Sequence, residues 1–144
     1  MQKNITFNFI FLFSCLSGFL IQQPHASSSI LLQSISNAEQ FESTEGNLIE
    51  LIKSSAGCMI KATFYGETGQ NTEIYHFKDS HFIQGLKYEY SYTLGGLSNL
   101  SDNHGNFEIY LNKSTNLDKN DLEVIEDFKT VKSLFPSKYL NQCN

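Results

Sequence analysis

The chain has 144 residues, with ten lysines, fifteen acidic residues and a formal net charge of −5, and it contains neither arginine nor tryptophan. Arginine dominates bidentate recognition of phosphate and of guanine edges, so its absence together with the negative charge argues against nucleic acid and anionic lipid as partners.

The amino-terminus carries Lys3 ahead of the apolar run ITFNFIFLFSCLSGFLI, and small residues follow in PHASSS. That order of a basic start, an apolar run and small residues is the outline of a secretory signal. Ala26 and Ser28 give the small-x-small spacing a signal peptidase reads, which places cleavage between residues 26 and 29. Residues 1–28 are therefore read as a signal peptide and 29–144 as one domain, with no membrane association after cleavage. Cys15 falls within the signal, where bulky Phe13 spoils a lipidation pattern. Cys58 and Cys143 remain, and in an exported chain a single disulfide between them is expected.

After the signal, ILLQSI reads as an edge strand or a loose arm. A helix is predicted next, from Ser36 to Ser55. Ser36 and Glu39 have capping-box spacing, and Phe41, Leu48, Leu51 and Ile52 recur on one helical face. From Cys58 the period changes to two. Cys58, Ile60, Ala62 and Phe64 alternate with Met59, Lys61, Thr63 and Tyr65, and GETGQN supplies the turn that follows. NTEIYHFK, LKYEYSYT and FEIYLN read as further strands, with HFIQ a continuation beyond KDS.

The segment from Asp118 to Phe135 is the clearest helix. Leu122, Ile125, Phe128, Val131 and Phe135 form an apolar stripe, acidic residues lead it, and Lys129 and Lys132 close it. Pro136 terminates it. The expected architecture is α+β: a two-layer domain in which an antiparallel meander of about four strands carries an N-terminal and a C-terminal helix packed on one face.

In KYEYSYT the tyrosines Tyr88, Tyr90 and Tyr92 share a parity with Leu86 and form the more apolar side, so they are expected to face the helices. The other side is expected to be wet and to carry Lys61, Thr63, Tyr65, Lys87, Glu89, Glu108 and Tyr110. The connection from Gly95 to Asn106 is long and has no evident structural duty. It and the wet face make the candidate binding surface: Tyr65, Asn99, Asp102, His104 and Tyr110.

No catalytic motif and no metal-ligand spacing is present. His76 and His81 match no zinc pattern, and LDKND lacks the glycine of a calcium loop. No cofactor or metal is expected. The sequons at Asn99 and Asn112 have meaning only in a eukaryotic secretory pathway. A small, acidic, exported, disulfide-tied domain without catalytic motifs is most economically read as a binding protein, for instance an inhibitor or immunity-type protein whose partner is another exported protein, a secreted or periplasmic enzyme. A small-molecule carrier with a tyrosine-lined interior is the alternative. A hydrolase with a dispersed site near His104 and Asp102 is the third reading.

Overall fold

The computed structural model describes residues 28–99 and 107–143. Its body is a six-stranded antiparallel sheet in which every strand pairs with its sequence neighbour, in the order β1 to β6. The strands are β1 Ile30–Ser36, β2 Asn47–Ser54, β3 Gly57–Tyr65, β4 Gly69–Lys78, β5 His81–Tyr92 and β6 Ile109–Leu117. A helix, α1, spans Leu122–Ser133, and a single further turn of helix, α2, covers Ser137–Leu140.

This architecture corrects the expected one: the sheet has six strands rather than about four, and no N-terminal helix forms. The residues read as that helix are the end of β1, a loop and β2. In β2 the buried residues are Asn47, Ile49 and Leu51, which is a period of two. Leu48 and Ile52 lie at the opposite parity, so apolar residues occupy both faces of the strand. A strand apolar on both faces leaves its own period ambiguous, and the choice is made by pairing with β1 and β3. Asn37 and Gly46 adopt positive φ at the two ends of the intervening loop, which a helix through this region would not allow.

One face of the sheet is covered. Ile49 and Leu51 of β2, Ile60 and Ala62 of β3, and Tyr75 and Phe77 of β4 point to the same side and pack with Phe128 and Val131 of α1 and with Phe135 just after it. Phe128 is the hub of an aromatic cluster. Its ring centroid is 5.6 Å from Phe77, 6.0 Å from Tyr75 and 5.2 Å from Phe82. Lys132 adds a cation 5.4 Å from the Phe77 ring and 5.6 Å from the Phe128 ring. Burial among these rings lowers its pKa from the usual lysine value.

The helix begins later than its sequence pattern implies. Asp121 is the N-cap, its carboxylate accepting from the Glu123 N–H at 2.9 Å. Leu122 then projects into solvent, and Val124 joins the core in its place. Beyond Pro136 the chain returns to the sheet, where Cys143 is bonded to Cys58 at the start of β3. The expected disulfide is thus present. No helix among the described residues is long and apolar enough to cross a membrane.

The opposite face of the sheet has no layer over it among the described residues. Leu48, Thr63, Thr72 and Tyr88 lie in register across it, followed by the row Glu50, Lys61, Ile74 and Leu86. The tyrosine row is therefore not where the sequence pattern placed it. Tyr88 and Tyr90 look away from α1 and lie beside each other, ring centroids 6.2 Å apart. Lys87 and Glu89, expected on the wet side, share the α1 face with Glu73 and Asn71. The cause is a bulge in β5, where Phe82 pairs with Phe77 and Gln84 with His76, leaving Ile83 extra. One extra residue reverses the parity of everything after it.

Candidate functional site

Three connections gather at one end of the sheet: the loop 37–46 between β1 and β2, the turn 66–68 between β3 and β4, and the connection between β5 and β6 that starts at Thr93. The first is ordered from inside. Asn47 is buried, its side-chain carbonyl accepting from the Ala38 N–H at 2.8 Å and its amide donating to the carbonyls of Ala38 at 3.1 Å and Phe41 at 3.2 Å. One asparagine thus satisfies three loop groups that would otherwise be left without partners.

The third connection is tied to the second. Leu97 N–H donates to the Glu67 carbonyl at 2.8 Å, and the Ser98 hydroxyl donates to the Glu67 carboxylate at 3.3 Å. Gly96 has φ +58, and a Cβ there would lie 2.6 Å from both the Glu67 carbonyl oxygen and the Tyr92 ring. Glycine is required at that crossing. Tyr92 is buried beneath it, its hydroxyl donating to Gln70 at 3.2 Å and its ring 4.7 Å from Phe107. Burial raises the Tyr92 pKa above the usual phenol value.

The charge at this end is one-sided. Glu39, Glu42, Glu45, Glu67 and Glu108 lie in these connections, all exposed, and no lysine occurs in residues 37–46, 66–68 or 93–108. A cleft of about 320 Å³ opens at this end, lined by Glu42, Ser43, Phe64, Tyr65, Gln70 and Tyr90 with neighbouring residues. It presents aromatic surface beside a carboxylate and side-chain amides. Such a constellation can seat a cationic side chain of a partner.

A second cleft of about 330 Å³ lies on the α1 side, bordered by Phe41, Glu42, Asn71, Glu73, Lys87 and Asp127. Glu73 is its centre, accepting from the Tyr75 hydroxyl at 2.8 Å and from the Lys87 ammonium at 2.8 Å. Burial and the Glu73 carboxylate push the Tyr75 hydroxyl far above the ordinary phenol range. Its hydrogen bond to Glu73 raises the pKa of Lys87. Both Glu73 oxygens are thus engaged by the protein itself, which makes this a structural network rather than an open site.

Asp127 stands at the edge of that network. Its pKa is raised by partial burial and then by Glu73 and Glu123, against an opposing pull from Lys87. A carboxyl with a higher pKa in the folded than in the unfolded state holds its proton more tightly when folded, so stability falls as pH rises through the interval. The penalty is complete above the folded pKa and absent below the ordinary aspartate value of about 3.9. Asp127→Asn should therefore melt at a higher temperature than the wild type at neutral pH, with the gap closing as pH approaches 4. The effect should be small, because the group is exposed enough for solvent to screen it. Melting curves across pH check this, and a variant that melts at or below wild type at neutral pH contradicts it.

The expected binding residues do not form one surface. Tyr65 lies on the uncovered face at the end of β3, half-buried in the first cleft. Asn99 lies in the connection after β5, exposed, its amide donating to the Leu94 carbonyl at 3.3 Å. Asp102 and His104 fall outside the described residues. Tyr110 is exposed on β6 but pairs with Ser91 on the α1 side, so Tyr65 and Tyr110 look to opposite sides of the sheet. Glu42, Glu45, Glu67 and Tyr90 were not among the residues expected from sequence. Their signal, a glutamate in every connection at one end and no lysine, becomes visible only once 37–54 is known to be a loop and a strand. No known protein family, curated protein or solved structure matches the chain.

Proposed function

We propose that this is an exported binding protein that engages a cationic surface of another exported protein, in the manner of an inhibitor or immunity-type protein. The observation that carries the reading is the segregation of charge and aromatic surface at one end of the sheet. Five glutamates and no lysine lie in the connections at that end, and one of them, Glu42, lines the cleft that holds Tyr65 and Tyr90. Such complementarity speeds encounter and fixes partner choice, while the half-buried rings supply the contact area. The disulfide is compatible with an oxidising extracellular compartment. The carrier reading loses its main support, since Tyr88 and Tyr90 look outward rather than into an interior.

The test is affinity capture of the exported proteins of the source cells on immobilised wild type, beside a triple variant Glu42→Lys, Glu45→Lys, Glu67→Lys. Expected is a specific basic partner retained by the wild type, released as salt is raised, and not retained by the variant. Equal retention by both proteins, insensitive to salt, would overturn the assignment of this end.

A further inference from the structure

We propose that the uncovered face of the sheet is a two-fold interface between copies of this chain. Six strands run beneath that face, and the core cluster around Phe128 lies wholly on the other side of the sheet. Its apolar residues are Leu48, Ile52, Met59, Ile74, Leu86 and Tyr88, all half-buried, with the buried hydroxyls of Thr63 and Thr72 between them. It is apolar at the margins as well, where Leu31 on β1 and Ile109 and Leu111 on β6 are more than half exposed. The charged and titratable groups on it are Glu50 and Lys61, which already pair with each other at 3.6 Å, His76, and the exposed Lys78 and His81 at the edge next to the β4–β5 turn.

Several partners can be compared against that surface. A cationic protein gains nothing from a face whose one acid is already paired. An anionic membrane surface would meet two lysines, Lys61 already paired and Lys78 at the edge, on a chain of net charge −5. A second copy brings an equally neutral and apolar patch, and a two-fold axis sets the same patch against itself. Homodimer interfaces have cores richer in apolar residues and poorer in unpaired charge than the rest of the surface, and here the one acid is paired and six apolar side chains share the face. Strands spaced about 4.8 Å apart and rising about 3.3 Å per residue give six strands of about eight residues a planar footprint on the order of 700 Å². That footprint is comparable with the roughly 800 Å² per partner of a standard stable interface. Face-to-face packing of two such sheets is the sandwich arrangement, with side chains of both inner faces interdigitating. Tyr65, Gln70 and Tyr90 of the cleft stand at the acidic end of this same face, but Met59 and Ile74 line neither that cleft nor its connections, so substitutions there test this inference separately from the proposed function.

Light scattering coupled to size exclusion, over a concentration series of the exported protein, gives the first test. The wild type is expected at twice the chain mass. Met59→Lys and Ile74→Lys, each placing a charge at the centre of the face, are expected at the monomer mass with unchanged far-ultraviolet dichroism. A wild type that stays monomeric at the highest concentration reached overturns the proposal. So does a dimer that survives both folded variants, because its interface would then lie elsewhere. Peroxide oxidation of Met59 in the wild type covers the case in which the variants do not fold. Its rate should fall as protein concentration rises, and a rate independent of concentration refutes the interface without any substitution.

Discussion

Phe128→Ala is expected to lower the stability of the protein by about 3–5 kcal/mol, the range for truncating a buried phenylalanine. Phe128 is buried, and its ring meets Phe77, Tyr75 and Phe82 from three neighbouring directions. Two of these come from β4 and one from β5, so the ring is what joins α1 to the middle of the sheet. Alanine would leave a cavity lined by rigid rings, which collapse into a void less readily than flexible aliphatic side chains. It would also remove one of the two rings beneath the Lys132 ammonium. A domain of this size has roughly 5–15 kcal/mol in all, so the variant should sit near the edge of folding. Urea denaturation followed by dichroism measures the loss. A midpoint equal to that of the wild type would show that α1 does not dock on the sheet as described.

Removing the disulfide should cost about as much by a different route. Cys58 and Cys143 are 85 residues apart, and closing a loop of that length in the unfolded chain is worth about 4 kcal/mol in the chain-entropy treatment. Both cysteines are buried in the core, so the bond also fixes the last segment after Pro136 against the start of β3. The Asp79 N–H donates to the Cys143 carbonyl at 3.4 Å and joins the same segment to the β4–β5 turn. The double variant Cys58→Ser, Cys143→Ser is expected to lose several kcal/mol, and the wild type to fall to a similar midpoint under reductant. Free-thiol labelling of the native protein should find neither cysteine reactive. A midpoint unmoved by reduction would mean the bridge contributes nothing to the fold.

The expected effects differ in where they act. Phe128 works on the folded state through packing, and the disulfide works chiefly on the unfolded ensemble by restricting it. Because Phe128 and Cys143 belong to one core cluster, the combined loss need not equal the sum. The acidic end of the sheet is built on neither. It rests on Asn47 and on the close crossing of Gly96 over Glu67, so charge reversal at Glu42, Glu45 and Glu67 tests the proposed binding without touching the core around Phe128.

Several features were legible from residues alone. Elimination of Cys15 leaves a single possible pairing, and Cys58 and Cys143 are indeed bonded. The final helix announces itself by its acidic front, its Phe128 and Val131 stripe and the Pro136 stop, all short-range signals within a few turns. Segments 58–65 and 71–78 alternate cleanly because one side packs on α1 and the other does not. What only the tertiary structure decided was set by contacts remote in sequence. Residues 47–54 are apolar at both parities, and pairing with β1 and β3 makes them a strand. The side of the sheet to which each tyrosine points depends on single inserted residues. Ile83 in β5 reverses the parity between Phe82 and Leu86, which turns Tyr88 and Tyr90 outward. Asn112 in β6 does the same between Ser114 and Leu111, which turns Tyr110 away from Tyr65. A bulge arises where two strands of unequal spacing must stay in register with each other, so it belongs to the pair rather than to either sequence, and no periodicity read along one strand can reveal it.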